Sequence, residues 1–566
     1  MRRALLGVVT FFVAAPFSSA QTWHDATALK TALEELAGPH TAIARLTSYG
    51  KSRAGGDLWC VELGPVDKSD RAALPALLIV AGLDGQHLIG TEVALDHVRR
   101  LIEGYGKDDA VTQLLDHHVV YVLPRANPDG AAAFFLPPGG AKRELRGDLA
   151  PVDDDRDGSI DEDGPTDLDG DGFITQRRWK DPAGTLIEDP NDPRLLRPAD
   201  PLKGEKGVWK VAIEGIDQDG DGECGEDGVG DVVPARNFPQ RWSEADPTAG
   251  RFPMEQPEAQ ALGKFVLDRP AIALALVYGL NDNVAVDAKP DTVNEGGRFI
   301  RSMPTGIVKD DQPLFAEFAS RYRATTGVTS KPPLDADDGS LANFLYFQFG
   351  IPTLAMHVWS PPLDVKPAAG GDGKPGESDE VKLLRWNDQV VAGAAFTPWT
   401  KVADPAIVAK LGKSADGTPL EVEVGGWRPY ARVLPPIGEV AALAQKHSDF
   451  LLQLAPLFAR LELATAKVES LGGNAWRVTA TLVNQGFLPT VCGMAERNRR
   501  PKPTRLDLEL KDAKLLQGEK RHTWSRIESQ GRRDVTWLIQ AEPGSTLTLR
   551  YWSEKSEAGE LPVVLK

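Results

Sequence analysis

Three short stretches of the chain carry carboxylates at alternate positions. "DDDRDGSIDEDG" sets Asp153, Asp155 and Asp157 before Gly158, "DLDGDG" sets Asp167, Asp169 and Asp171 before Gly172, and "DQDGDG" sets Asp217, Asp219 and Asp221 before Gly222. Calcium takes roughly six to eight oxygen ligands on a sharply curved loop, which alternate aspartates and a glycine turn supply. None of the three has Glu at the twelfth position of a complete EF-hand loop, where Gly164, Arg178 and Gly228 stand. Acids at Asp161, Asp163, Glu226 and Asp227 are placed to close the shell from nearby. The expected ion is calcium and its expected role structural, because carboxylates this dense repel one another without a cation between them.

These loops interrupt a chain whose apolar runs read as an α/β sheet. "LPALLIVAGL" (74–83) is continuously apolar, "TEVALDHVRRLIEGY" has helical spacing, and "HHVVYVLPRANPDG" is a second apolar run ending in turn residues. Strand, helix, strand with fully apolar strands predicts a sheet covered on both faces. Sites tend to lie on the loops that leave such strands, and Asp84 and His87 fall just after residue 83. A helical pattern is expected over Trp23–Ser52, before a strand at "LWCVELG". Further on, helices are expected at "EQPEAQALGKFVLDRP", "PLFAEFASRYRATTG" and "SLANFLYFQFG", and strands at "IALALVYGLNDN" and "IPTLAMHVW". From about Arg460 short alternating strands follow one another, which predicts a β-sandwich.

The chain has 566 residues, enough for more than one domain. Arg2 and Arg3, the apolar run from Ala4 to Phe17, and Ser18-Ser19-Ala20 read as a secretory signal cleaved before Gln21, so export is expected. No later run is long enough for a membrane span. Cys60, Cys224 and Cys492 are too few and too scattered for a disulfide framework. The net charge of −17 equals the excess of acids in two segments, residues 153–171 with ten acids against Arg156 and residues 214–231 with eight acids and no base. With no basic patch for phosphates, nucleic acid is not an expected partner.

The order of motifs resembles the zinc carboxypeptidases of the carboxypeptidase A type, in particular an exported bacterial branch with an Asp-rich insertion and a C-terminal β-sandwich. The resemblance is carried by "GLDGQHLIGTE" (82–92), "PRANPDG" (124–130), "PARNFP" (234–239), "EQPEAQAL" (255–262), "VYGLNDN" (277–283), "DGSLANFLYFQFGIPT" (338–353) and "LAMHVW" (354–359). "EVGGWRP" (423–429) and "NQGFLPT" (484–490) look like the same branch. It implies a mixed α/β sheet covered by helices over residues 21–455, an Asp-rich insertion at 148–231, and a sandwich at 456–566.

The family's zinc ligands, a HxxE pair and a distant His, correspond to Asp84, His87 and Asn281, and its general base to His357. All four are substituted, by residue types that still include metal donors; oxygen ligands shift preference from zinc toward harder cations. The family's carboxylate-binding Asn-Arg pair corresponds to Ala235 and Arg236, its further active-site arginine to Arg146, and its mobile tyrosine to a place near Leu334. The expectation is therefore an exported carboxypeptidase-like protein that does not perform family-type zinc hydrolysis and binds a peptide or similar ligand, with Arg236 meeting a carboxylate. Two alternatives stay open: an active hydrolase with a recast site for zinc or another divalent transition metal, and a calcium-stiffened cell-surface binding protein.

Overall fold

The computed structural model describes residues 23–65, 74–136, 143–148, 164–217, 224, 232–291, 304–328, 335–368, 377–413 and 417–566. The expected signal segment lies outside the described residues, as do Asp153, Asp155, Asp157, Asp219, Asp221 and Leu334. Twelve strands build the first two sheets: β1 (Ala44–Lys51), β2 (Asp57–Leu63), β3 (Ala76–Ala81), β4 (Val119–Leu123), β5 (Gln176–Lys180), β6 (Leu186–Glu188), β7 (Leu196–Pro198), β8 (Trp209–Ile213), β9 (Ile272–Tyr278), β10 (Thr353–Met356), β11 (Phe396–Lys401) and β12 (Val422–Trp427).

The first sheet has the order β1-β2-β4-β3-β9-β10. It is mixed: β4, β3, β9 and β10 run parallel, while β1 and β2 join antiparallel at one edge. All six residues of β3 are buried. Side chains alternate across a strand, so Leu77, Ile79 and Ala81 enter one apolar core while Ala76, Leu78 and Val80 enter another. The first core lies under the helices Ala26–Ala37, Leu88–Gly104, Gln312–Thr326 and Val440–Leu454, the second under Pro257–Leu267 and Leu341–Phe344. Both faces are covered, which is why the strands can be apolar throughout.

Two local expectations are corrected. The helical pattern from Trp23 stops at Ala37, where Gly38-Pro39 breaks it, and residues 44–51 pair with β2 as a strand. "SLANFLYFQFG" is α-helical only over Leu341–Phe344; a wider turn over Leu345–Phe349 follows and ends on Gly350 at φ 63°.

A second six-stranded sheet, β11-β12-β5-β8-β6-β7, grows from the acidic region and is antiparallel throughout. Its strands are short; β5, "QRRWK", carries arginines and a tryptophan with no apolar alternation, while β12 buries Val422 and Val424. Residues 461–564 form two four-stranded antiparallel sheets packed through Trp476, Trp537 and Leu549, as the strand spacing predicts. No helix among the described residues is long and apolar enough to cross a membrane.

Candidate functional site

At the C-terminal end of β3 the chain turns at Gly82, φ 60°, and delivers Asp84 and His87 before the helix Leu88–Gly104. Asp84 is buried, and the Arg146 guanidinium grips its Oδ2 with Nε at 3.0 Å and Nη2 at 2.8 Å. Arg146 Nη2 also donates to Asp335 Oδ2 at 2.5 Å. Arg236 reaches the other oxygen of Asp335 and donates to Asp246 at 2.6 Å. One carboxylate, Asp335, thus draws both arginines together. Burial pushes the Asp84 carboxyl above its usual range while Arg146 pulls it back. Burial opposes the charge on Arg146, but Asp84 and Asp335 outweigh it and hold that guanidinium above its ordinary value.

His87 is fully buried. Its Nε2 lies 3.0 Å from the carbonyl oxygen of His357, so this nitrogen carries the proton and donates. The lone pair is then on Nδ1, which has no partner among the described residues and faces Gly90, where a Cβ would sit 2.8 Å from it. Burial lowers the His87 pKa to about 3, so the ring is neutral. His357 follows β10, with ring centroid 5.9 Å from that of His87, and its Nδ1 meets the Trp359 carbonyl at 2.6 Å. Val358 between them stands at φ 70°, an unusual conformation for a β-branched residue that turns the chain back onto the His357 ring. Asn281, after β9, donates its amide nitrogen to the Asp335 and Ala336 carbonyls, each at 3.2 Å.

Asp84, Arg236, Asn281 and Asp335 line one small cavity at these strand ends. Arg146 bonds two of its lining residues, Asp84 and Asp335, while His87 and His357 are not part of the lining. Sequence reasoning had no signal for Asp335 or Asp246, since a lone Asp in a loop looks like any other.

A separate acidic cluster lies on the second sheet. Among the described residues, the only trio of His, Cys, Asp or Glu with ligand atoms within 4.8 Å of one another is Asp167, Asp169 and Glu214. Glu214, beyond the end of β8, was not in the motif reading. Its oxygens accept from Leu168 N at 2.6 Å and from Thr175 N and Oγ1 at 2.7 and 3.0 Å. Asp171 instead accepts from Phe173 N and Thr397 Oγ1, and Asp217 is tied by its backbone N–H to Lys410.

Comparison with known proteins gives two family matches: zinc carboxypeptidase (peptidase M14) over residues 29–146, and a domain of unknown function, DUF8731, over residues 460–563. Carboxypeptidase M of Mus musculus is 31% identical over 115 residues, 20% of this chain and 26% of that protein. Carboxypeptidase D of Drosophila melanogaster is 33% identical over 107 residues, 19% of this chain and 8% of that one. The chain thus spans about a quarter or less of these relatives' length. The crystal structure of carboxypeptidase A from Helicoverpa armigera aligns at a TM-score of 0.36 with 15% identity, covering 67% of this chain and 76% of that one. The likeness to zinc carboxypeptidases is thus one of sequence over residues 29–146.

The match to a zinc carboxypeptidase model implies zinc, and the donors that the motif resemblance assigns to it do not fit it as they stand. Asp84 is already paired with an arginine, whose Nε and Nη2 both donate to its Oδ2. The His87 lone pair faces the start of its own helix, and Asn281 offers only an amide oxygen. Zinc sites keep three strong nitrogen, sulfur or carboxylate donors aimed at one point, and the two carboxylates that line this cavity, Asp84 and Asp335, are both held by arginines.

Proposed function

We propose that this cavity binds a carboxylate-bearing peptide or peptide-like ligand without cleaving it by the family's zinc chemistry. The observation that carries the reading is the convergence of Arg146 and Arg236 on Asp335. An internal carboxylate lies between two guanidinia whose planar donor forks suit a carboxylate ligand. The ligand's own carboxylate would exchange with Asp335. The reading includes export, supported by the basic, apolar and small-residue order of residues 1–20. It also includes calcium on the acidic loops, supported by the approach of Asp167, Asp169 and Glu214.

The test uses N-acetyl-phenylalanine and its C-terminal amide in calorimetric titrations. Removing the competing charge with Asp335→Asn is expected to tighten binding of the free acid roughly tenfold, about 1.4 kcal/mol, and to leave the amide weak. Equal affinity for acid and amide, or no change on Asp335→Asn, would sink the reading. For the acidic loops, a calcium titration should lose its response in Asp167→Asn/Asp169→Asn if that reading is right.

A further inference from the structure

The second sheet holds an open cleft of about 630 Å³, distinct from the cavity at Asp84. Its wall is built by "GGWRP", a motif with no part in the site above. Gly425 and Gly426 stand at φ 152° and 104°. A Cβ on Gly425 would press within 2.9 Å on the Thr397 and Trp399 backbone, so glycine lets β12 lie flush against β11. Trp427, Arg428 and Pro429 then face the cleft together with Trp399, Phe396 and Gln176.

The lining holds four arginines, Arg143, Arg194, Arg428 and Arg432, against two acids, Glu144 and Glu380, on a chain of net charge −17. Arg194 is held by Asp192 and Asp388, and Arg432 by Glu380. Arg428 differs: it donates to Thr397 Oγ1 and the Ala394 carbonyl, stacks on Phe173 at 4.6 Å, and has no carboxylate partner among the described residues. A half-buried, pre-oriented guanidinium bonded only to neutral acceptors is a ready carboxylate receptor.

Two indoles flank it. Trp427 is braced by Arg432 at 4.8 Å and by the edge of Phe396 at 5.3 Å; Trp399 is braced by Arg178 at 4.4 Å and donates Nε1 to the Arg194 carbonyl. Rigid amphipathic rings beside planar polar groups suit a ligand made of rings with polar rims. A peptide strand has no edge to extend at β5, since β5 pairs with β12 on one side and β8 on the other.

We propose that this cleft is a binding site for an acidic oligosaccharide, with Arg428 meeting a ring carboxylate and the sugar rings lying along Trp427 and Trp399. The test titrates the full chain, at low salt, with trigalacturonic acid, with maltotriose, and with tri-L-glutamate. Expected is binding of trigalacturonate that exceeds the other two, weakens at least tenfold in Arg428→Gln, recovers partly in Arg428→Lys, and is unchanged in Arg236→Gln. Melting temperatures verify folding; if Arg428→Gln unfolds, Gln176→Ala, whose side chain is exposed at the cleft, should weaken binding at least threefold. Indifference to these cleft variants, equal binding of triglutamate, or absence of binding overturns the proposal. Loss of binding in Arg236→Gln alone would overturn it too, because the ligand would then occupy the cavity at Asp335.

Discussion

A guanidinium beside a buried carboxylate supplies the positive charge that a dication would bring to the same place. Asp84 is 2% exposed and Arg146 is its ion-pair partner, so the pair stands or falls together. Removing one member of a buried pair leaves an uncompensated charge, at a cost of about 3–5 kcal/mol, whereas replacing both with neutral groups is often close to neutral. Arg146→Met is therefore expected to lower the denaturant midpoint markedly, and Asp84→Asn/Arg146→Met to recover most of the loss. Should the single variant unfold like the parent, Arg146 would not be neutralising Asp84. The same reasoning shows what residue types alone can reveal. Asp84, His87, Asn281 and His357 were legible as candidate site residues from their motifs. Which of them would face a common point was not, because that depends on the arginine and on the ring orientation of His87.

Between the sheet and its covering helices lies a layer of neutral histidines. His97 bonds Ser448 and the Tyr278 hydroxyl, while His447 sits edge-on between Tyr278 and Tyr322 with neither nitrogen paired among the described residues. Burial lowers the pKa values of His87, His97 and His447 to about 3 each. The unfolded chain binds protons at these rings below about pH 6.5 and the folded one does not. Stability is thus intact above that pH and is lost as pH falls from about 6.5 toward 3, by up to about 1.4 kcal/mol per unit for each ring. His447→Phe should flatten the decline of melting temperature with acid while costing little at pH 7.5; an unchanged pH profile would contradict this. At this scale the apolar strands and helices of the first sheet were readable in the sequence because burial on two faces imposes continuous apolarity. Strand β5 of the second sheet was not: it reads "QRRWK", with Arg178 stacked on Trp209 and Trp399 and paired with Glu423, contacts that follow no apolar period.

The sandwich and the first sheet are not separable beads. Leu488, Val491, Cys492 and Met494 belong to the same core as Leu77 and Phe450. Asp311 accepts from Gly493 N at 2.6 Å and Met494 N at 3.0 Å, and Lys555 carries its ammonium to the Ile272 carbonyl at 2.8 Å. Truncation after residue 459 should therefore expose core surface and give an aggregating or strongly destabilised product, as followed by size-exclusion chromatography and melting. A stable, monodisperse truncation would show the first domain to be self-sufficient.

On the proposed function, Arg146 and not a metal balances Asp84, and the cavity binds its ligand without zinc hydrolysis. Elemental analysis of residues 21–566, purified with zinc present and then dialysed, tests this most directly alongside a peptide-hydrolysis assay. Well below one zinc per chain and no chelator-sensitive hydrolysis are expected. One zinc per chain, lost together with peptide cleavage in His87→Ala, would contradict it.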